Sequence, residues 1–445
     1  MASYRVKLIS KKLIKPSIST PPPPRSYKLG LMDQLLDNVY MPLAFFYPNI
    51  QNNNGSPLLP TNIPSLVQNS LSKVLAAYYP LAGRAVDNLN IDCSEMKATF
   101  IEADVDCRMS EITSNPNISA QDVIFPTGLT WRSSKDDDSL VIAQLNHFSC
   151  GGKALNLCAS HKVADGLTLS NFARDWAAVT KQSGLLGDHQ EASPLSPQLN
   201  AASIIPPIED PLTKAEFGLF PHQQNCVTKR LLFDSSKLGE LKAKVTGETG
   251  IKNPTRMEVV TALVHKHAHA AASIVDPNSS QLPIFIQVVN MRPLINPPLS
   301  QNYVGNLSNY FGIPLPNAKD LSHSKLVSEL RKAKVEFFDK FKGISANDFR
   351  KEIIKSVEYM RMISDGESNL DQYICTNMCR FPFYDTDFGW GKPERVNFAA
   401  SPFKNFLILL DEANGDGVEA FVALEEKIMN AFERDPEILK FASIR

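Results

Sequence analysis

The chain has 445 residues, 43% of them hydrophobic and 21% charged, enough for a sizeable core and about two or three domains at ~150 residues each. A formal net charge of -1, a pI near 6.7 and the lack of any long basic block remove the electrostatic footprint of a nucleic-acid binder. Met1 to Pro16 has no continuous apolar core, no run approaches the ~18 apolar residues of a membrane span, and seven scattered cysteines fit reduced thiols, so a cytoplasmic protein without membrane contacts is expected.

In chain order, Pro21 to Pro24 reads as an extended leader, Phe45-Phe46-Tyr47 ends a short strand, and Leu66, Val67, Leu71, Val74 and Leu75 mark an amphipathic helix introduced by Pro64. That helix stops before Tyr79 to Arg84. Leu140 to Phe148 alternates as a strand, Gly151-Gly152 supply the positive φ angles of a hairpin turn, and Ala154 to Ser160 alternates again. Beyond Gly166, the series Leu167, Leu169, Phe172, Ala173, Trp176 and Ala177 follows helical spacing. Between about Gly184 and His222, six prolines prevent regular structure and mark a crossover between halves.

The second half opens with a strand near Val227 to Phe233. Thr255-Arg256-Met257-Glu258 then matches a capping box before an apolar helix ending near Ala272. A strand at Ile284 to Val289 leads to Asn290-Met291-Arg292, and amphipathic helices follow near 324–341 and 346–363. The tail reads strand, strand, helix at Phe406 to Leu410, Val418 to Leu424 and Glu425 to Phe432. No short-period repeat is visible, which excludes a solenoid.

The chemistry concentrates at His161-Lys162-Val163-Ala164-Asp165-Gly166, where an imidazole stands four positions before a carboxylate at a strand-to-helix junction. Such junctions aim side chains into clefts, so His161 is a candidate general base. The pair lacks a third ligand for a metal reading. His265, His267 and His269 alternate, but on a helix only His265 and His269 share a face, and a solvated helical end is expected there. Cys375 and Cys379, spaced for one helical face, read as structural thiols.

Together with Asp387-Phe388-Gly389-Trp390-Gly391-Lys392-Pro393, the His161 to Gly166 motif resembles the plant BAHD acyl-CoA-dependent acyltransferase family. The resemblance extends through Tyr79 to Arg84, Asn290 to Arg292, Val304-Gly305-Asn306 and Gly417-Val418-Glu419. It implies an α/β fold of two chloramphenicol-acetyltransferase-like domains, mixed sheets with flanking helices, joined by a long crossover loop. The expected division is 1–205, completed by about 385–405, and 206–445, with a solvent channel between. Acyl-CoA and a small-molecule acceptor are implied to enter from opposite faces and meet at His161. The expected protein is a monomer without a permanently bound cofactor or metal, whose co-substrate is acyl-CoA, acetyl-CoA first.

On that resemblance His161 takes the acceptor proton and returns it to the leaving CoA thiolate. No acyl-enzyme is required, and the chain has no G-x-S-x-G elbow and no cysteine beside the motif. Asp165 has two readings, an orienting carboxylate on His161 or, as in structures of this fold, a partner for a basic side chain that supports the loop. Asp387 invites a catalytic reading, but its glycine-rich surroundings, with Gly389 and Trp390, suggest a structural loop tied to Arg292 by a bidentate salt bridge. Lys252 and the amides near Thr255 are candidate CoA-phosphate contacts, with simple helix capping as the alternative.

Ser160 stands where peptide-synthetase condensation domains carry a second histidine, which argues against carrier-protein partners. Leu307 follows Tyr303-Val304-Gly305-Asn306 where malonyl-transferring members carry cysteine. Leu31-Met32-Asp33-Gln34 and Ala44 to Pro48 resemble the branch containing vinorine synthase and capsaicin synthase. The expected activity is O-acylation of an alkaloid, terpenoid or other alcohol. The alternatives are amide formation by an N-acyltransferase and a turnover-deficient metabolite-binding member.

Overall fold

Every side chain of the strand Tyr40–Tyr47 is buried, because both edges of this strand are paired and both faces are covered. Lys153–Ser160 runs antiparallel along one edge, and Arg395–Phe398 runs antiparallel along the other, with Arg395 opposite Phe46. The computed structural model describes residues 4–18, 22–49, 62–127, 131, 138–186, 195–208, 225–315, 322–364 and 370–445.

Two large mixed sheets organise the chain. The first orders its strands as Val6–Ile14, Ala98–Val105, Val141–Phe148, Lys153–Ser160, Tyr40–Tyr47 and Arg395–Phe398. The second runs Ser308–Pro314, Leu282–Asn290, Leu370–Asn377, Phe406–Asp411, Val418–Glu425, Cys226–Phe233 and Ser443–Ile444. Arg395–Phe398 is therefore a late strand that pairs in the sheet of the first half.

The helix Ile63–Ala77 is started by Asn62, whose side chain accepts from the Ser65 amide, and by Pro64 in its first turn. It packs against Gly166–Leu186, where Trp176 donates to the Val67 carbonyl at 3.2 Å from a fully buried position. On the second sheet Arg256–Val275 is covered by Ser235–Thr249 and His323–Phe341.

Several boundaries differ from the sequence reading. Of the two hairpin glycines, Gly151 alone takes a positive φ, +83°. The first histidine-bearing helix of the second half continues to Val275, six residues past His269. Its histidines are thus not a solvated end. His265 is buried against Phe285 at 4.6 Å between ring centroids, and that burial pushes its pKa down to about 3. His267 is buried beside Asp435 and Glu437. Cys375 lies on a strand, not a helix, and Cys379 in the turn beyond it. All seven cysteines are unpaired thiols. Much of the proposed crossover, 187–194 and 209–224, and the first proline of the leader lie outside the described residues.

Candidate active site

The strand Lys153–Ser160 delivers His161 to its end, where the His161 amide donates to the Val39 carbonyl at 2.8 Å. Lys162 then turns inward. Its ammonium donates to the carbonyls of Leu36 at 2.8 Å and Gln34 at 3.3 Å and to the Asn88 side chain. This buried lysine ties the motif to the segment carrying Met32, Leu35 and Leu36. Those three side chains, with His161, line one cavity of about 1080 Å³.

Asp165 does not reach His161. Its carboxylate makes a bidentate pair with Arg292, at 2.7 Å from Nη1 to Oδ2 and 3.1 Å from Nη2 to Oδ1. It also caps the Gly166–Leu186 helix by accepting from the Thr168 amide at 2.8 Å, and it accepts from Leu307 at 3.3 Å. Arg292 is fully buried, and its remaining donors go to the carbonyls of Tyr303 and Gly305 and to the Asn290 side chain. This geometry corrects the expected Arg292–Asp387 bridge, because the guanidinium that was to hold Asp387 is taken by Asp165.

Asp387 pairs instead with Lys181 at 2.6 Å and accepts from the amides of Gly389 and Gly391 at 2.9 and 3.0 Å. Gly389 and Gly391 have φ of +103° and +100°, which a side chain would strain. That turn stacks Trp390 on Phe388 at 5.4 Å and sets both edge-on to Tyr47. Asp387, Gly389 and Trp390 are absent from the described wall of the cavity that holds His161.

His161 Nδ1 lies 3.0 Å from Asn306 Oδ1, which leaves Nε2 for the cavity. Burial holds the imidazole below its usual pKa against the opposing pull of its own backbone, the nearby Asp165 charge, the Asn306 bond and the Ala164 backbone. It is neutral at neutral pH, as a base must be. Asn306 donates in turn to Asp33 at 2.9 Å. Neither contact was anticipated. Sequence spacing carries no signal for them, since Asp33, His161 and Asn306 lie on three distant segments.

The same cavity is walled farther along by Lys242, Lys252, Thr255, Arg256 and Lys334. Thr255 caps the Arg256–Val275 helix as expected, accepting from the Glu258 amide at 3.2 Å while Glu258 accepts from the Thr255 amide at 2.9 Å. Arg256 is engaged with Asp411 at 2.8 Å. One pocket thus joins the His161 imidazole to a cationic rim at a helix N-terminus.

A transferase family model matches residues 4–439. The chain belongs to the BAHD acyltransferase family. It is 39% identical to "Acyltransferase Pun1" of Capsicum frutescens, over 99% of each chain. It is 37% identical to a Strychnos nux-vomica protein named 17,18-epoxy-17-hydroxycur-19-ene N-malonyltransferase, over 100% of this chain and 92% of the relative. Among solved structures, that of vinorine synthase superposes with a TM-score of 0.80 at 29% identity, over 99% of each chain. The two-sheet architecture is the chloramphenicol-acetyltransferase-like fold of this BAHD acyltransferase, which moves an acyl group from CoA.

Proposed function

We propose that this enzyme transfers a short acyl group, acetyl first, from CoA to a hydroxyl of a plant specialised metabolite, with His161 as general base. The observation that carries the reading is an imidazole held below its usual pKa, its Nδ1 beside Asn306, on the wall of a cavity shared with a cationic rim. Nε2 takes the acceptor O–H proton as that oxygen attacks the thioester carbonyl. The tetrahedral intermediate then expels the CoA thiolate, which receives the same proton from the imidazolium. An acceptor-dependent release of free CoA tests the reading. Acetyl, malonyl and hydroxycinnamoyl donors are set against a panel of plant alcohols and amines, with products identified by mass. Release that ignores every acceptor would contradict it. The relative named as an N-malonyltransferase supports the second reading, an amine acceptor, which the same panel separates by product.

Lys252 is proposed to meet the CoA phosphates. Lys252→Glu is expected to raise the KM for acyl-CoA about tenfold, from roughly 1.4 kcal/mol of lost attraction at a solvent-screened site, with kcat nearly unchanged. Initial rates at two ionic strengths check this, because the gap should shrink with salt. An unchanged KM removes Lys252 from the donor site.

Asp387 is proposed to hold the Asp387 to Gly391 turn and to take no part in proton transfer. Asp387→Asn weakens an ion pair and two amide bonds, an expected loss of about 1–3 kcal/mol. Turnover should stay within about threefold of wild type when assayed well below the melting temperature. A collapse of kcat in a fully folded variant would return Asp387 to the chemistry.

A further inference from the structure

We propose that Asn306 and Asp33 are the positioning residues of His161, forming an amide-bridged relay in which a buried carboxylate acts on the imidazole through one asparagine. The inference rests on the reading of His161 as the base. It assigns to Asn306 and Asp33 the task that the carboxylate of the His161 motif leaves undone, since Asp165 spends both oxygens on Arg292 and two amides.

The orientation of the Asn306 amide follows from its neighbours. Its Nδ2 lies 2.9 Å from Asp33 Oδ1 and 2.8 Å from the His161 carbonyl, both of which accept only. Oδ1 must then face the ring, and at 3.0 Å it takes a proton from Nδ1. The imidazole is thereby locked as the Nδ1–H tautomer with a lone pair on Nε2. Asp33 is itself fixed, 2% exposed, accepting from the Asn306 amide at 2.8 Å and the Gly30 amide at 2.9 Å. Gly305, beside this carboxylate, has φ +120°, a backbone conformation that a side chain would strain.

The intervening amide has a chemical consequence. A carboxylate directly on Nδ1 would raise the imidazole pKa and keep it protonated, which disables a base at neutral pH. A neutral amide donor-acceptor in between leaves the resting ring neutral. Burial pushes the Asp33 carboxyl up to about 6 against its bonds to Asn306 and Gly30, so at neutral pH it still aligns a buried negative charge with the imidazolium that forms when the acceptor proton arrives on Nε2. The other charged groups facing this region are Lys162, directed to the carbonyls of Gln34 and Leu36, and the Asp165–Arg292 pair.

Nitrogen-15 NMR of histidine-labelled protein tests the relay without any acceptor, the His161 signal being the one lost in His161→Ala. Wild type is expected to show a single Nδ1–H tautomer. Asn306→Ala and Asp33→Asn are each expected to give a tautomer mixture. The exchange variant, Asp33→Asn with Asn306→Asp, places the carboxylate on the ring and should raise the His161 pKa by about one unit or more. With a productive acceptor in hand, Asn306→Ala should lower kcat about 10- to 100-fold while KM for both substrates stays within about twofold. A wild-type Nε2–H tautomer, or a folded Asn306→Ala whose tautomer and pKa match wild type, would overturn the proposal. If the NMR results hold while no acceptor supports turnover, the fault lies in the reading of His161 as base and not in the relay.

Discussion

Replacing His161 with alanine should lower acyl transfer by about 10² to 10⁴ while the protein remains folded. The ring is partly exposed to the cavity, so its loss leaves no large buried void. Its side-chain partner is Asn306, whose Nδ2 remains held by Asp33 and the His161 carbonyl. Melting temperature should therefore shift little, and that separates chemistry from folding. The residual rate should still exceed the solution reaction, because holding two substrates together supplies ~7 to 11 kcal/mol independent of the base. Steady-state kinetics on purified variant and wild type, with differential scanning fluorimetry alongside, checks both halves.

Breaking the Asp165–Arg292 pair should have the opposite profile, a stability loss first. Arg292→Leu leaves a buried carboxylate with only two amide partners, and Asp165→Leu leaves a buried guanidinium without its anion. Each should cost about 3–5 kcal/mol, seen in urea unfolding. The double variant Asp165→Leu with Arg292→Leu should lose less than the two singles together, because no unpaired charge remains. Equal additive losses would contradict the pair. The pH dependence follows from the same contacts. Burial alone would raise the Asp165 pKa, but Arg292 and the Thr168 and Leu307 amides outweigh it and hold the carboxyl below its usual range. A depressed native pKa contributes stability above the unfolded value of about 3.9, and that contribution disappears as pH falls through the lower native one. In Arg292→Leu the carboxyl keeps its burial and loses its cation, which raises its native pKa, so the gap between wild type and the variant should narrow in acid and keep widening with pH until the variant's raised pKa is passed.

How far the sequence was legible depended on whether a feature is local. Alternation located Val141–Phe148, and capping chemistry located the start of Arg256–Val275, because period and cap are properties of adjacent residues. The edge strand Val6–Ile14 went unassigned. Its lysines and its exposed Leu8 and Leu13 resemble a solvated tail until the pairing with Ala98–Val105 is seen. Ion-pair partners were the least legible. Arg292 and Asp387 looked complementary in motif terms, but Arg292 is 127 positions from the carboxylate it binds, and Asp387 is 206 from its lysine. Asn306 and Asp33 each stand in a motif that carried the resemblance, but nothing in the sequence joined either to His161, since their role arises where three distant segments converge on one ring. The histidine cluster failed for a related reason. Spacing placed His265 and His269 on one face, but whether that face meets water or Tyr373 is decided by the sheet beneath it.

The central claim is that one imidazole passes a proton from acceptor to CoA inside a shared cavity, with no acyl group ever resting on the protein. Rapid-quench mixing of the enzyme with acyl-labelled CoA and a productive acceptor tests it most directly. Label should pass from CoA to the acceptor with none covalently bound to protein at any time, and His161→Ala should slow that passage without trapping it. Stoichiometric label on the protein before product appears, or a His161→Ala rate equal to wild type, would contradict it.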